Sequence, residues 1–317
     1  MSLRRFIVKR LLLVFPILFG VSVITFALVQ LTPGDPIDVV VALNPDISPA
    51  EEARLRARYG LNDPIWSQYI QWLTDVLRGD FGTVIATDRA VSDVIVERLP
   101  ETIALGLFGW VFAVVIAIPT GIYAAVRKDE LGDHVSRFVA LSGISIPNFW
   151  LGLMLILVGS LIVGAWPVLP PRKPLYHPET LWYLLLPGIT IGTASASTLM
   201  RIMRSSMAEE MNKEYVTAAR AKGLPERTVV LKHVLRNSLI SVTTVAAFLT
   251  ASIVAGSVVV ESVFGWPGLG QALVGAVRNR EIDLILAITL FIGVAIILAN
   301  LAADIMYAVL DPRIRYD

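Results

Sequence analysis

The sequence predicts an all-α polytopic membrane protein with six transmembrane helices and a helical segment outside the membrane. Of its 317 residues, 55% are hydrophobic and only 17% are charged, whereas a soluble domain carries about a quarter charged residues. Six apolar runs lack Asp, Glu, Lys and Arg, and each is long enough to cross a hydrocarbon core of about 30 Å as a helix. These runs are residues 11–31, 102–126, 138–163, 181–200, 239–260 and 284–303.

The composition also excludes several classes of protein. Because the chain has no cysteine, disulfides, thiolate metal sites and cysteine nucleophiles are ruled out. A net charge of +1 does not indicate a basic surface for binding nucleic acid. The predicted spans hold no Asp, Glu, Lys or Arg, and an ion-coupled transporter keeps such charged groups although each costs roughly 2.5–3.5 kcal/mol. Because the dipeptide Gly-Lys is absent, there is no phosphate-binding loop of the Walker type.

The first apolar run predicts a retained spanning helix. A cleaved signal peptide has an apolar region of about 7–15 residues before a small-residue cleavage site. Residues 11–31 form a longer run, and no Ala-x-Ala site follows it. We therefore expect this segment to cross the membrane.

The polar segment over residues 32–101 predicts external helices. Ser48, Pro49 and Glu51 have the spacing of a capping box with proline at the first helical position, and this helix should end at Gly60. A second helix should follow Asp63-Pro64, and a third, shorter one should cover residues 92–99. The apolar residues of the second helix are expected along one face, and the helices should pack together or lie on the bilayer surface. Those residues are Trp66, Tyr69, Ile70, Leu73, Val76 and Leu77.

The distribution of basic residues predicts the orientation. With the N-terminus in the cytoplasm, the cytoplasmic segments hold 17 Lys and Arg residues and the external segments hold 10. Positively charged loops are retained on the cytoplasmic side. Both termini and the loop around residues 207–239 should therefore be cytoplasmic.

The loop over residues 207–239 has the pattern of a docking element. Two helical patterns are separated by Gly223-Leu224-Pro225, where a glycine ends one helix and a proline begins the next. The small residues Ala218, Ala219 and Ala221 would allow another protein to approach closely. Contact with anionic lipid is the alternative role for such a basic loop.

Four further motifs accompany this loop and together carry a family resemblance. In the loop, Ala218, Ala219, Gly223 and Leu235 match a Glu-Ala-Ala-x3-Gly-x9-Ile-x-Leu-Pro pattern. Thr217, His233 and Arg236 replace its Glu, Ile and Pro. The other motifs are Gly34-Asp35-Pro36, Ser145-Ile146-Pro147, Phe264-Gly265-Trp266-Pro267-Gly268-Leu269-Gly270 and Leu310-Asp311-Pro312-Arg313. The chain thus resembles the permease subunits of binding-protein-dependent ABC importers, in the B-type version of peptide and nickel importers.

The resemblance implies a type I importer permease fold in the inner (plasma) membrane of a prokaryote. It implies partnership with a second homologous permease subunit, two ATPase subunits and an external substrate-binding protein. ATP and Mg²⁺ would be bound by the ATPase subunits, so this chain should have no cofactor and no enzymatic activity of its own. Peptides, nickel chelates and oligosaccharides are all substrates of similar permeases. A stand-alone channel and a membrane-embedded enzyme are the alternatives outside the family.

The predicted organisation follows from the spans. Residues 1–31 form the N-terminus and first span, residues 32–101 the external segment, and residues 102–310 the five-helix permease core. The core includes the coupling loop at 201–238, and residues 311–317 form a cytoplasmic tail. The external segment could also be a docking platform for the binding protein.

Three groups of candidate functional residues emerge. The ATPase-coupling group consists of Tyr215, Ala218, Ala219, Arg220, Lys222, Gly223 and Leu224. Residues 261–270 are rich in Gly, Pro and aromatic side chains, so they predict either an external gate or a simple interspan turn. The gate candidates are Glu261, Phe264, Trp266 and Pro267. Ser145, Pro147 and Asn148 are candidates for a cavity wall, with ordinary helix packing as the alternative.

The orientation can be tested with single cysteines, because the parent chain has none. Cysteines at Gln68 and Lys213 should react with an impermeant maleimide from opposite sides of the membrane. Labelling of intact cells, followed by labelling after permeabilisation, measures this difference. Labelling of both positions from the same side would contradict the predicted topology.

Overall fold

The computed structural model describes residues 3–31, 34–44, 46–163 and 178–310, and these are mostly helical. The predicted cytoplasmic tail and residues 311–313 of the last motif lie outside the described residues. The elements in chain order are α1 (Leu3–Leu31), α2 (Pro36–Leu43), α3 (Pro49–Arg58), α4 (Ile65–Leu77), β1 (Thr83–Val84), β2 (Arg89–Ala90), α5 (Val91–Val126), α6 (Leu131–Ser145), α7 (Asn148–Val163), α8 (Pro178–Glu210), α9 (Glu214–Ala221), α10 (Glu226–Thr228), a π-helix (Val229–Val234), α11 (Leu235–Phe264), α12 (Leu269–Asn279) and α13 (Ile282–Leu310).

The candidate membrane spans coincide with the predicted apolar runs but continue beyond them. Within the described ranges, five helices are long and apolar enough to cross a membrane, or six if the bent pair α6 and α7 counts as one span. The predicted separate helix over residues 92–99 is wrong, because these residues belong to α5. Val91 and Ile95 are buried in one cluster with Leu284 and Ile288.

The predicted third span, residues 138–163, is broken in the middle. Helices α6 and α7 meet at an angle of 109°. The break falls at Ile146, whose backbone is extended with φ −79° and ψ 124°. The Pro147 ring disfavours a helical conformation of the residue before it, so the helix ends there.

One compact unit contains Ile103–Trp266 together with the described residues up to Val8 and from Ile296. Its helices approach one another through small residues. A β-carbon at Gly192 would lie 2.5 Å from the carbonyl oxygen of Gly109, and one at Gly121 would lie 2.9 Å from that of Met200. Helices α5 and α8 are therefore packed backbone to backbone, as small residues permit between helices in lipid.

The other unit contains Lys9–Thr102 and Pro267–Ala295. Its helix α3 agrees with the sequence prediction. The Ser48 hydroxyl accepts a hydrogen bond from the Glu51 N–H at 3.3 Å, and Gly60 follows the helix with φ +65°. The segment predicted as helical also contains a short antiparallel hairpin, which β1 and β2 form. Gly82 and Asp88 have positive φ at its two ends, which turns the chain where a helix would otherwise continue.

Helix α4 divides the apolar face that the sequence predicts. Tyr69, Leu73 and Val76 pack against Phe26 and Leu286, together with Trp72, which the prediction omitted. The other predicted members, Trp66, Ile70 and Leu77, are exposed. The apolar arc of this helix is wider than the surface that the chain packs against it.

Glu281 anchors the hairpin to the start of α13. Its carboxylate is buried and accepts hydrogen bonds from the backbone N–H groups of Ile85 and Ala86, both at 2.8 Å. Burial raises the pKa of Glu281, and the two backbone hydrogen bonds oppose this change without cancelling it. The folded state therefore holds this proton more tightly than the unfolded chain does.

We expect Glu281→Gln to destabilise the protein by about 1–3 kcal/mol, because one hairpin N–H would face an amide NH2 instead of an acceptor. In the parent, the contribution of Glu281 to stability should fall as pH rises above its ordinary pKa. The stability of the variant should lack this pH-dependent contribution. Thermal unfolding in detergent across this pH range measures both effects, with Glu51→Gln on exposed α3 as the control. An unchanged pH slope in Glu281→Gln would contradict the assignment.

Candidate functional site

The coupling loop lies between the ends of α8 and α11 and packs on its own unit through one side. Val216 and Ala219 of α9 are buried in the cluster that includes Met203, Met207 and Val230. The loop is therefore held as a defined surface element by apolar contacts within the chain.

The opposite side of the loop is exposed. Ala218, Arg220, Lys222, Gly223 and Leu224 are all exposed to solvent, and the Leu224 side chain is 38% exposed. The expected Ala218–Ala219 surface is thus divided, since Ala218 faces outward and Ala219 is buried. The two neighbours differ because consecutive helical residues lie on different faces.

Gly223 has the backbone conformation that the sequence predicts for the end of a helix. Its φ is +74°, and its N–H donates to the carbonyl oxygen of Arg220 at 2.9 Å. A β-carbon at this position would meet no atom within 4 Å. The backbone conformation, rather than a steric contact, therefore requires glycine here.

Tyr215 links the three helices around the loop. Its hydroxyl donates to Glu210 Oε2 at 2.7 Å and accepts from Asn237 Nδ2 at 3.1 Å. Burial raises the pKa of Tyr215, so the hydroxyl keeps its proton. Tyr215 therefore positions α9 between α8 and α11.

Arg220 is already paired within the loop. Its Nη2 and Nε atoms donate to the two carboxylate oxygens of Glu226 at 2.7 and 3.1 Å. Both side chains are exposed, and exposed ion pairs contribute roughly 0–1 kcal/mol. This pair bridges the turn at Gly223 and orients α9 relative to α10.

Two features beside the loop were not predicted from the sequence. The first is the π-helix Val229–Val234, in which Val229, Val230 and Val234 are buried. The wider turn of a π-helix is common at functional sites. It carries the half-buried His233, which replaces the family's Ile.

The second feature is a buried ion pair between α6 and α8. Asp133 is fully buried, and its two oxygens accept from Arg204 Nε at 2.5 Å and Nη2 at 2.6 Å. The Asp129 N–H donates to the same carboxylate at 3.0 Å. Seventy-one positions separate the partners, so no local pattern could have paired them.

The candidate gate residues occupy the interior near the end of α11. Glu261, Phe264 and Trp266 are buried, and Phe264 and Trp266 belong to the apolar cluster around Leu105. The Trp266 N–H donates to the Glu261 carbonyl oxygen at 2.9 Å. Gly265 ends α11 with φ +61°, and Pro267 is half-buried. This geometry is that of a rigid turn, and a gating role stays a prediction.

The candidate cavity-wall residues surround the break between α6 and α7. Ser145 and Pro147 are exposed and Asn148 is half-buried. A cavity of about 400 Å³ does lie between α5, α6 and α8, but its lining does not include these three residues. It is lined by Phe112, Ile116, Thr120, Val135, Ser136, Val139, Ala140, Thr193, Ala196, Ser197 and Met200.

The long apolar helices, together with the bent pair α6 and α7, are those of a multi-pass membrane protein. Residues 117–316 match the family described as "Binding-protein-dependent transport system inner membrane component". Residues 3–106 match the N-terminal part of such components. The chain belongs to this family, and it is a multi-pass component of the inner membrane. The family is one of transport components, in keeping with the expectation that the chain is not itself an enzyme.

Relatives and a solved structure agree with this assignment. The chain is 38% identical to the oligopeptide transport system permease protein AppB of Bacillus subtilis, over 98% of this chain and 99% of the relative. It is 35% identical to the dipeptide transport system permease protein DppB of Escherichia coli K12, with the same coverage. A chain of the inward-facing MetNI methionine ABC transporter is 20% identical with a TM-score of 0.53, covering 69% of this chain and 96% of that one. This last likeness confirms the predicted importer permease fold.

We expect Asp133→Ala to lower the free energy of unfolding by about 3–5 kcal/mol, because it leaves Arg204 largely buried without its carboxylate. The double variant Asp133→Leu with Arg204→Met should lose less stability than Asp133→Ala, because it leaves no buried charge unpaired. Denaturant unfolding in detergent measures both, and Glu97→Ala is the matched control because it breaks an exposed 2.7 Å pair with Arg89. The control should change stability by about 0–1 kcal/mol. Equal losses in Asp133→Ala and Glu97→Ala would contradict this assignment.

Proposed function

We propose that this chain forms half of the translocation pathway of an ATP-driven peptide importer. A second homologous permease subunit would supply the other half, and an external binding protein would deliver the substrate. Two ATPase subunits would bind ATP and Mg²⁺ and dock on the coupling loop. Peptide is the favoured substrate because the relatives described above are named as oligopeptide and dipeptide permeases.

The observation that carries the coupling role is the two-sided construction of the loop. Its inner side is fixed by Val216 and Ala219 in the core. Its outer side presents Leu224 directly after the left-handed turn at Gly223. A rigid base with an exposed apolar tip can transmit a displacement of a partner to the helices behind it.

The energy needed for transport favours apolar docking over ion pairing. A change from about 1:99 to 99:1 between two states requires about 5.5 kcal/mol. Arg220 is engaged by Glu226 at the surface and contributes little. Leu224 is 38% exposed, so burying the rest of its side chain in a groove stabilises a contact by about 1 kcal/mol. A helix seated in a groove adds the further contacts that the change requires.

The connections of the loop give the route of the motion. Helix α9 follows α8, and α10 with the π-helix leads into α11. Both α8 and α11 are candidate spans. We propose that closure of the ATPase pair on ATP moves the loop and, with it, these two helices.

The experiment is Gly223→Val in the assembled importer. Valine has no low-energy conformation at positive φ, so the turn would change and Leu224 would be displaced. We expect loss of co-purifying ATPase subunits or ATP hydrolysis without dipeptide uptake in proteoliposomes, while insertion of the permease is retained.

Gly79→Val is the matched control, because Gly79 also has a positive φ (+87°) with open space around it but lies in the external segment. This variant should assemble and transport like the parent. If Gly223→Val also does so, the loop is not the docking element. Uptake driven by the cognate binding protein loaded with nickel chelate or oligosaccharide, but not with peptide, would instead overturn the proposed substrate.

A further inference from the structure

We propose that helix α4 lies in the membrane interface, with Trp66, Ile70 and Leu77 inserted among the lipids. This inference needs only that α1 and α13 cross a membrane, and it is independent of the proposed substrate and coupling. It assigns a lipid-binding surface to a helix outside the spanning segments.

The inner part of the apolar face of α4 is packed against the two spans. The Tyr69 ring lies 5.2 Å from the Phe26 ring and 6.4 Å from the Phe19 ring, measured between centroids. The Tyr69 and Ser22 hydroxyl oxygens are 2.8 Å apart. Trp72 packs with Phe26 of α1 and Leu286 of α13. Helix α4 is therefore fixed along the sides of these spans, below their ends.

The depth of α4 can be estimated from both spans. Phe26 lies five positions before the end of α1 at Leu31, and Leu286 lies four positions after the start of α13 at Ile282. At a rise of 1.5 Å per residue, these offsets are about 7.5 Å and 6 Å. Both agree with the burial of about 5–10 Å expected for an interfacial amphipathic helix. Ser22 and Phe19 lie nine and twelve positions before Leu31, about 13.5 Å and 18 Å along α1, and both are reached by the Tyr69 side chain, which points deeper than the backbone of α4.

The outer part of the apolar face is exposed. Trp66 is 69% exposed, Ile70 is 54% exposed and Leu77 is 80% exposed. The adjoining α1 also exposes large apolar side chains, including Phe19 and Leu28. Only 11% of the most apolar part of α1 is buried, so most of its surface is available to lipid. Exposed Phe19 contacts Tyr69 of α4, with ring centroids 6.4 Å apart, so the exposed apolar surface of α1 adjoins the apolar face of α4.

The polar side of α4 is placed for contact with water and headgroups. Ser67, Gln68, Gln71 and Asp75 lie on the arc opposite the apolar stripe, as the helical spacing requires. Gln68 accepts a hydrogen bond from Gln30 near the end of α1. Tryptophan is enriched at membrane–water interfaces, where its amphipathic ring is anchored, and Trp66 occupies such a position.

The test uses spin labels on single cysteines at Ile70 and Leu77, with Gln71 on the polar side as the matched control. The complete importer is placed in lipid nanodiscs without its binding protein. Collision rates with oxygen, which concentrates in lipid, and with a water-soluble nickel chelate are then measured. At positions 70 and 77 the rate with oxygen should exceed the rate with the nickel chelate, and this ratio should be inverted at position 71.

Equal access of the nickel chelate to positions 70, 71 and 77 would overturn the proposal. Protection of positions 70 and 77 only after addition of the binding protein would also overturn it, because the stripe would then be a protein-docking surface. The two positions report independently, so a label that disturbs one variant leaves the other to decide. Parental transport by the labelled variants confirms that the helix is undisturbed.

Discussion

The bidentate pair between Asp133 and Arg204 is the interaction on which the arrangement around the loop depends. A fully buried carboxylate is retained at low energetic cost only if each of its oxygens has a hydrogen-bond donor. The pair holds the first half of the bent third span against α8, one turn before the buried Met207. The pair therefore ties α6 to α8 close to the point where the loop begins.

Close packing of backbones complements this pair deeper in the same unit. Gly109 with Gly192, and Gly121 with Met200, bring α5 and α8 together at distances that a β-carbon would prevent. In lipid no hydrophobic effect drives helices together, so shape and van der Waals contact decide which helices pair. The alanine-rich cluster around Ala113, Ala117 and Ala140 has the same origin.

The loop and helix α4 are constructed in the same way. Each is amphipathic, each has a side fixed by contacts within the chain, and each has an apolar remainder that is exposed. At Leu224 the remainder is a single side chain beyond a sharp turn, which suits a groove in another protein. On α4 it is a broad stripe that adjoins the exposed surface of a spanning helix, which suits lipid.

The sequence by itself determined the apolar spans, the helix that ends before Gly60 and the left-handed turn at Gly223, because these depend on local composition and on glycine and proline. The coupling-loop motif also made the family recognisable. Only the tertiary structure decided that Ala219 is buried while Ala218 is exposed, that Trp266 lies in the core, and that α4 packs only part of its apolar face. The Asp133–Arg204 pair and the anchoring of the hairpin by Glu281 likewise join residues far apart in the chain. Such contacts depend on how the helices are placed in space. The pattern of neighbouring residues in the sequence does not predict that placement.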